Sequence, residues 1–126
     1  SKGLSIGSIT SPESLVAKSA TLGCGLIIMS GVIINSDVQI GANSFLNSGV
    51  IVEHDCQIGD HCFLSPGVIL SGYVTVGEGT FIGSGTVVST GINIGRNVTV
   101  GCGSVVIRDI PDNSVVYGNP AHHHGK

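Results

Sequence analysis

From Val16, every sixth residue is aliphatic: Val16, Leu22, Ile28, Ile34 and on without interruption to Val100 and Val106, sixteen positions in all, each Ile, Leu or Val. The positions four further on, beginning Ala20, Leu26, Val32, Val38, Ser44 and ending Ser104 and Ile110, are mostly small or β-branched. A helix would repeat its apolar residues three and four apart. A long strand would alternate without a break. Here the alternation breaks once in each hexapeptide, which predicts short β segments separated by turns. The aliphatic residue and the small residue two before it then both point inward.

A second period fixes how the segments stack. Gly23, Gly41, Gly59, Gly77 and Gly95 each follow an aliphatic position, and each stands three hexapeptides from the next. Three hexapeptides therefore make one coil, and the coil is a three-sided prism. Five coils would rise about 24 Å at the spacing of paired strands. Each coil buries its ladder only against its neighbours, as in other solenoids. The repeat spans residues 16–110. Residues 1–15 lack it and read as an irregular lead-in or a worn first coil. Residues 111–126 form a tail. "RDIPDNSVVYGNPA", from Arg108 to Ala121, leaves the register after Ile110, and its prolines and glycine mark turns that cap the prism and shield its open edge.

Composition narrows the function. A net charge of −3 on 126 residues argues against a nucleic-acid or anionic-membrane binder, since both need a basic face. No apolar run reaches the roughly 18 residues of a membrane helix. "SKGLSIGSIT" has no signal-peptide hydrophobic region. Cys24, Cys56, Cys62 and Cys102 form no CxxC pair, which suits a reduced, cytoplasmic protein. Cys56 and Cys62 occupy small inward positions and read as packing residues.

Charge is rare in this chain, yet "VIVEHDCQIG", residues 50–59, sets Glu53 and Asp55 on either side of His54. With Val52 and Cys56 inward, His54 points outward near a corner. The residues one coil before and after it, Ser36 and Gly72, are small and leave room beside the imidazole for a ligand. From spacing, "EHD" is either a solvated corner or a base with a carboxylate partner. Acyl transfer to an amine or hydroxyl needs a base near neutrality, and histidine suits that task. His61 in "GDHCF" is the competing imidazole and reads as a surface residue. The run His122, His123 and His124 lies on the tail and is no preorganised metal site. Arg108 reads as solvated, with coenzyme phosphates as an alternative partner.

The repeats followed by "GNPA" resemble the left-handed β-helix acyltransferases. Within them, "NSGVIVEHDCQIGD" and "IPDNSVVYGNPA" resemble the sialic acid O-acetyltransferase family, which includes the UDP-4-amino-sugar N-acetyltransferases of bacterial glycan biosynthesis. The resemblance implies an all-β, left-handed parallel β-helix. It implies acetyl-coenzyme A as co-substrate, a sugar or nucleotide-sugar acceptor, and a homotrimer with clefts between prisms. It implies a catalytic His54 with Asp55 beside it and an active-site Asn47. It implies donor contacts from Gly72, Phe63 and Ser84, with the Gly72 amide aimed at the acetyl carbonyl. Relatives often carry a second His where this chain has Phe63, a departure that bears on the donor or acceptor contact there. Members usually carry an N-terminal Rossmann-like domain, so the chain looks like the C-terminal catalytic half, with residues 1–15 left from the missing part. Two other readings stay open. One is a γ-carbonic-anhydrase-like metalloenzyme, which needs three histidines converging on zinc. The other is a non-catalytic trimeric β-helix module.

Overall fold

The computed structural model describes residues 7–125, and its regular elements are all strands. Two-residue strands recur once in each hexapeptide. Along the repeat each pairs in parallel with its counterpart one coil away, as Phe45 with Phe63, Ile51 with Ile69 and Gln57 with Thr75. The pairs build three faces, named here by their outward side chains. The phenylalanine face begins at Ile9–Thr10, runs through Phe45–Leu46, Phe63–Leu64 and Phe81–Ile82 to Thr99–Val100, and is extended by Val115–Gly118 and Ala121–Gly125. The aliphatic face stacks six strands from Leu15–Val16 to Val105–Val106. The polar face stacks five, from Thr21–Leu22 to Asn93–Ile94, and Ile110 adds a single bridge to Ile94. This is the expected fold class, a left-handed parallel β-helix of three sides.

The hexapeptide pattern has a direct physical cause. The second residue of each strand enters the core, and the ladder from Leu22 to Val106 is buried throughout. The small inward position is buried too, from Leu26 to Ser104. Where that position is polar, its side chain can satisfy a carbonyl of the adjoining coil. Ser44 Oγ donates to Gly59 O at 3.0 Å and Thr80 Oγ1 to Gly95 O at 2.7 Å. Cys56 and Cys62 do the same with sulfur, each Sγ lying 3.1 Å from the oxygen of Ser71 and Gly77 respectively. Burial pushes both thiols up, so these cysteines are packing groups and not nucleophiles.

The glycine column, one residue per coil, marks where backbones touch. A Cβ on Gly77 would lie 2.6 Å from the carbonyl carbon of Gly95 in the next coil. No rotamer relieves an overlap with backbone, so only glycine lets the coils close there.

The prism is longer than the repeat suggested, because the phenylalanine face gains a strand before the repeat, Ile9–Thr10, and two after it, Val115–Gly118 and Ala121–Gly125. Within residues 1–15, Ile9–Thr10 and Leu15 already pair in register with Ile27–Ile28 and Ile33. The inward residue of the first strand is Thr10, so the aliphatic series does not extend to it. In the tail, Val115–Gly118 and Ala121–Gly125 also join the structure. Val115 and Val116 pair with Thr99 and Val100, a step that falls short of three full hexapeptides and so escapes the count by sixes.

Leu64 is fully buried in the ladder and Gln57 points outward from the polar face. Leu64→Asp should abolish the cooperative thermal transition, since an unpaired buried charge costs several kcal/mol. Gln57→Asp should stay within about 0.5 kcal/mol of the parent. Equal melting of the two variants would refute the inward assignment.

Candidate active site

The edge between the aliphatic and polar faces carries the charged cluster. Val52 and Cys56 are held in the core, so Glu53, His54 and Asp55 must turn the corner between them. Asp55 takes a left-handed backbone, φ 61°, and its amide donates to Ser36 O at 3.0 Å in the preceding coil. Side chains of adjacent residues point to opposite sides in an extended chain. The left-handed turn removes that separation and sets Asp55 Oδ2 3.0 Å from His54 Nδ1. Glu53 serves another purpose, accepting from Asn35 Nδ2 at 2.9 Å across the coil spacing. Only one of the two flanking carboxylates therefore holds the imidazole.

The ring's far end rests on the coil above. A methyl group on Gly72 would stand 2.7 Å from Cε1 and 2.8 Å from Nε2 of His54. This corrects the expectation of room for a ligand on that side: the imidazole itself fills the space left by the missing side chain, and Gly72 is buried beneath it. The imidazole stays open to solvent elsewhere, its side chain 52% exposed. Gly72 N–H has no hydrogen-bond partner among the described residues. Tyr73, next along, meets the imidazole edge to face with centroids 5.2 Å apart. Sequence reasoning passed over Tyr73. The available signal was an aromatic residue at a corner position filled elsewhere mainly by Gly, Asn or Asp.

The other expected residues lie apart from this corner. Asn47 stands at the opposite end of the aliphatic face, where its Oδ1 accepts from the Ser48 amide at 2.7 Å. Ser84 is exposed on that same far edge, between the phenylalanine and aliphatic faces. Phe63 lies on the phenylalanine face, tilted against Phe45 at 4.8 Å and stacked on Phe81 at 5.5 Å. His61 occupies the third edge, exposed and left-handed with φ 57°. One chain thus unites His54, Asp55 and Gly72, and separates Asn47, Ser84, Phe63 and His61 from them. Among the described residues no group of three or more His, Cys, Asp or Glu is placed to hold a metal ion.

Two family profiles match this architecture. Residues 38–72 match the bacterial transferase hexapeptide, of six repeats, and residues 73–108 match the hexapeptide repeat of succinyl-transferase. Together they run through more than half of the chain. It belongs to the hexapeptide-repeat transferases. Among solved structures, this hexapeptide-repeat chain is similar to PerB of Caulobacter crescentus, solved with CoA and GDP-perosamine, at 42% identity and a TM-score of 0.93 over 94% of this chain and 57% of that one. It is similar to the acetyltransferase domain of PglB from Neisseria gonorrhoeae at 32% identity and a TM-score of 0.92, over 93% of this chain and 57% of that one. It is also similar to WeeI from Acinetobacter baumannii at 28% identity and a TM-score of 0.89, over 91% and 57% respectively. The chain thus spans a little over half the length of these relatives. No curated protein sequence matches it.

In this hexapeptide-repeat chain the obstacle to a side chain at residue 72 is a mobile side chain, not backbone, and Gly72 has no left-handed φ. Gly72→Ala should therefore fold with a stability change of no more than about 1 kcal/mol. It should also drive the His54 ring off its seat, which a crystal structure or the histidine ring resonances of the variant would report. An unmoved imidazole in Gly72→Ala would refute the packing of His54 on Gly72.

Proposed function

We propose that the chain is the catalytic β-helix of an acetyl-coenzyme A-dependent acetyltransferase. Its acceptor is an amine or hydroxyl of a sugar or nucleotide sugar, and its setting is bacterial surface glycan biosynthesis. The His54–Asp55 pair carries this reading. A carboxylate on Nδ1 fixes the tautomer, so that Nε2 keeps its lone pair for the acceptor's proton. The 42% identity to a protein solved with CoA and GDP-perosamine supports the donor and acceptor classes.

The chemistry follows from that geometry. His54 Nε2 takes the proton of the attacking amine or hydroxyl as it adds to the thioester carbonyl. The carbonyl oxygen becomes an oxyanion, and the unpaired N–H of Gly72, the residue on which the imidazole packs, is the donor offered to it. Collapse breaks the carbon–sulfur bond, and His54 returns the proton to the coenzyme A thiolate. Asp55 stabilises the imidazolium between these steps. Acetyl-coenzyme A and nucleotide sugars are cytoplasmic pools, which supports a cytoplasmic site of action.

The dispersal of the remaining residues supports a homotrimer. Two of the three outer faces are apolar, with Leu15, Phe81 and Val87 exposed upon them, while the third presents Thr21, Gln39, Gln57, Thr75 and Asn93. The edge between the apolar faces is small, built of Ser30, Ser48, Pro66, Ser84 and Cys102 followed by glycines. Packing the aliphatic face of one copy on the phenylalanine face of the next buries both around a three-fold axis. It brings Phe63 of the partner subunit toward the cleft that His54 borders. Asn47 and Ser84 then lie at the inner end of that cleft, where they act on bound substrate and not on His54.

Two experiments test these readings. Acetyl transfer from acetyl-coenzyme A is followed by steady-state kinetics, with GDP-perosamine as the probe acceptor. His54→Ala should lower turnover by about 10²–10⁴ while acetyl-coenzyme A affinity changes little. Asp55→Asn should lose less, because the imidazole remains, and His61→Ala should stay near the parent. Turnover that survives in His54→Ala, or a larger loss in His61→Ala, would return "EHD" to a solvated corner. Light scattering should give three times the chain mass, and a stable monomer that binds acetyl-coenzyme A would defeat the trimer.

A further inference from the structure

We propose that Tyr73 is a positioning residue that holds the His54 imidazole in its working orientation, an inference that rests on His54 being the base. The first observation is conformational. From Gly25 to Gly103 the corner residue is left-handed at every sixth position, fourteen times in succession. Eight of these corners are Gly, two are Asn and two are Asp, and His61 and Tyr73 complete the set. Gly meets this requirement without strain, and Asn, Asp and His are the side chains most often found there. A large aromatic residue at φ 62° is the outlier.

The second observation is that burial does not explain the outlier. Tyr73 is 60% exposed, so the core gains little from the ring. Its contact of note is with the imidazole, at 5.2 Å and an interplanar angle of 88°, the edge-to-face arrangement that aromatic pairs favour. The backbone ties the two together, since Tyr73 N–H donates to the His54 carbonyl at 3.1 Å.

The third observation is what His54 would lack without it. One hydrogen bond at Nδ1 leaves the ring free to swing about that bond. Gly72 supplies a floor under Cε1 and Nε2 but no wall. Tyr73 is the wall, so that Asp55, Gly72 and Tyr73 restrain the imidazole in three directions. The residue best suited to the backbone at 73 is glycine, and glycine would leave the base loose.

Tyr73→Gly and Tyr73→Phe separate this role from ordinary packing. The probe is the full chain with labelled histidine, the His54 ring signals being assigned by their loss in His54→Gln. In the parent and in Tyr73→Phe, those signals should stand apart from those of exposed His61 through the ring current of residue 73. In Tyr73→Gly they should move to ordinary exposed values. The melting temperature of Tyr73→Gly should equal or exceed the parent's, because the backbone strain is relieved. A residue kept for stability would lower it. With GDP-perosamine as probe acceptor, kcat should fall by about 10- to 100-fold in Tyr73→Gly with KM for acetyl-coenzyme A unchanged, and Tyr73→Phe should keep it. His54 signals unmoved in Tyr73→Gly overturn the proposal. So does a lowered melting temperature with kcat intact. Activity retained in His54→Ala sinks the base assignment instead, and the ring-current shift still reports whether Tyr73 holds the imidazole.

Discussion

Backbone hydrogen bonds between coils set the terms for everything else in this chain. They repeat once per coil and lock each corner to the corners above and below it. On the edge that carries His54, the Asp55 amide donates to Ser36 O, the Tyr73 amide to His54 O and the Gly91 amide to Gly72 O, all at 2.9–3.1 Å. Residues far apart in sequence are thereby held in a fixed vertical register. That register, and not a loop, seats the imidazole of one coil on the glycine of the next. Sites on regular elements hold their geometry more closely than sites on loops.

The periodic part of this order is legible in the sequence because it repeats. A single inward Leu is ambiguous, whereas an unbroken series from Val16 to Val106 leaves one interpretation of its spacing. The glycine column is legible for the same reason, although its cause, backbone meeting backbone at Gly77 and Gly95, appears only in three dimensions. The ends are less legible. Thr10 takes an inward place that is aliphatic from Val16 onward, and the last coil on the phenylalanine face, from Thr99 to Val115, is shorter than the rest.

The candidate site is legible only in part. The reading places His54 outward with Asp55 as partner, and both are where it puts them. It treats Ser36 and Gly72 as equivalent small neighbours, because a period carries no direction. The imidazole leans one way only, onto Gly72. Asn47 is close to His54 along the chain, which suggests proximity. In a prism with one hexapeptide to a side, the step from Asn47 to His54 carries the chain from one edge to the next. Sequence distance and spatial distance part company at that corner.

The three edges meet one backbone demand in different ways. Between the two apolar faces, the left-handed residues are Gly31, Gly49, Gly67, Gly85 and Gly103, with no exception. That edge presents bare backbone, suited to close approach by another surface, and it is the one that the proposed trimer turns toward its axis. On the edge between the polar and phenylalanine faces, Gly25, Asn43, His61, Gly79 and Asn97 mix glycine with tolerated polar residues. On the third edge the series is Asp37, Asp55, Tyr73 and Gly91. Here glycine is given up in three successive coils, and two of those coils hold the imidazole. Each departure from glycine at a left-handed corner weakens the coil slightly. Where such departures cluster, the side chain must supply something the backbone cannot. Asp55 supplies a carboxylate to Nδ1 and Tyr73 an aromatic wall, and Tyr73, the corner residue least suited to a left-handed backbone, is the one that meets the imidazole.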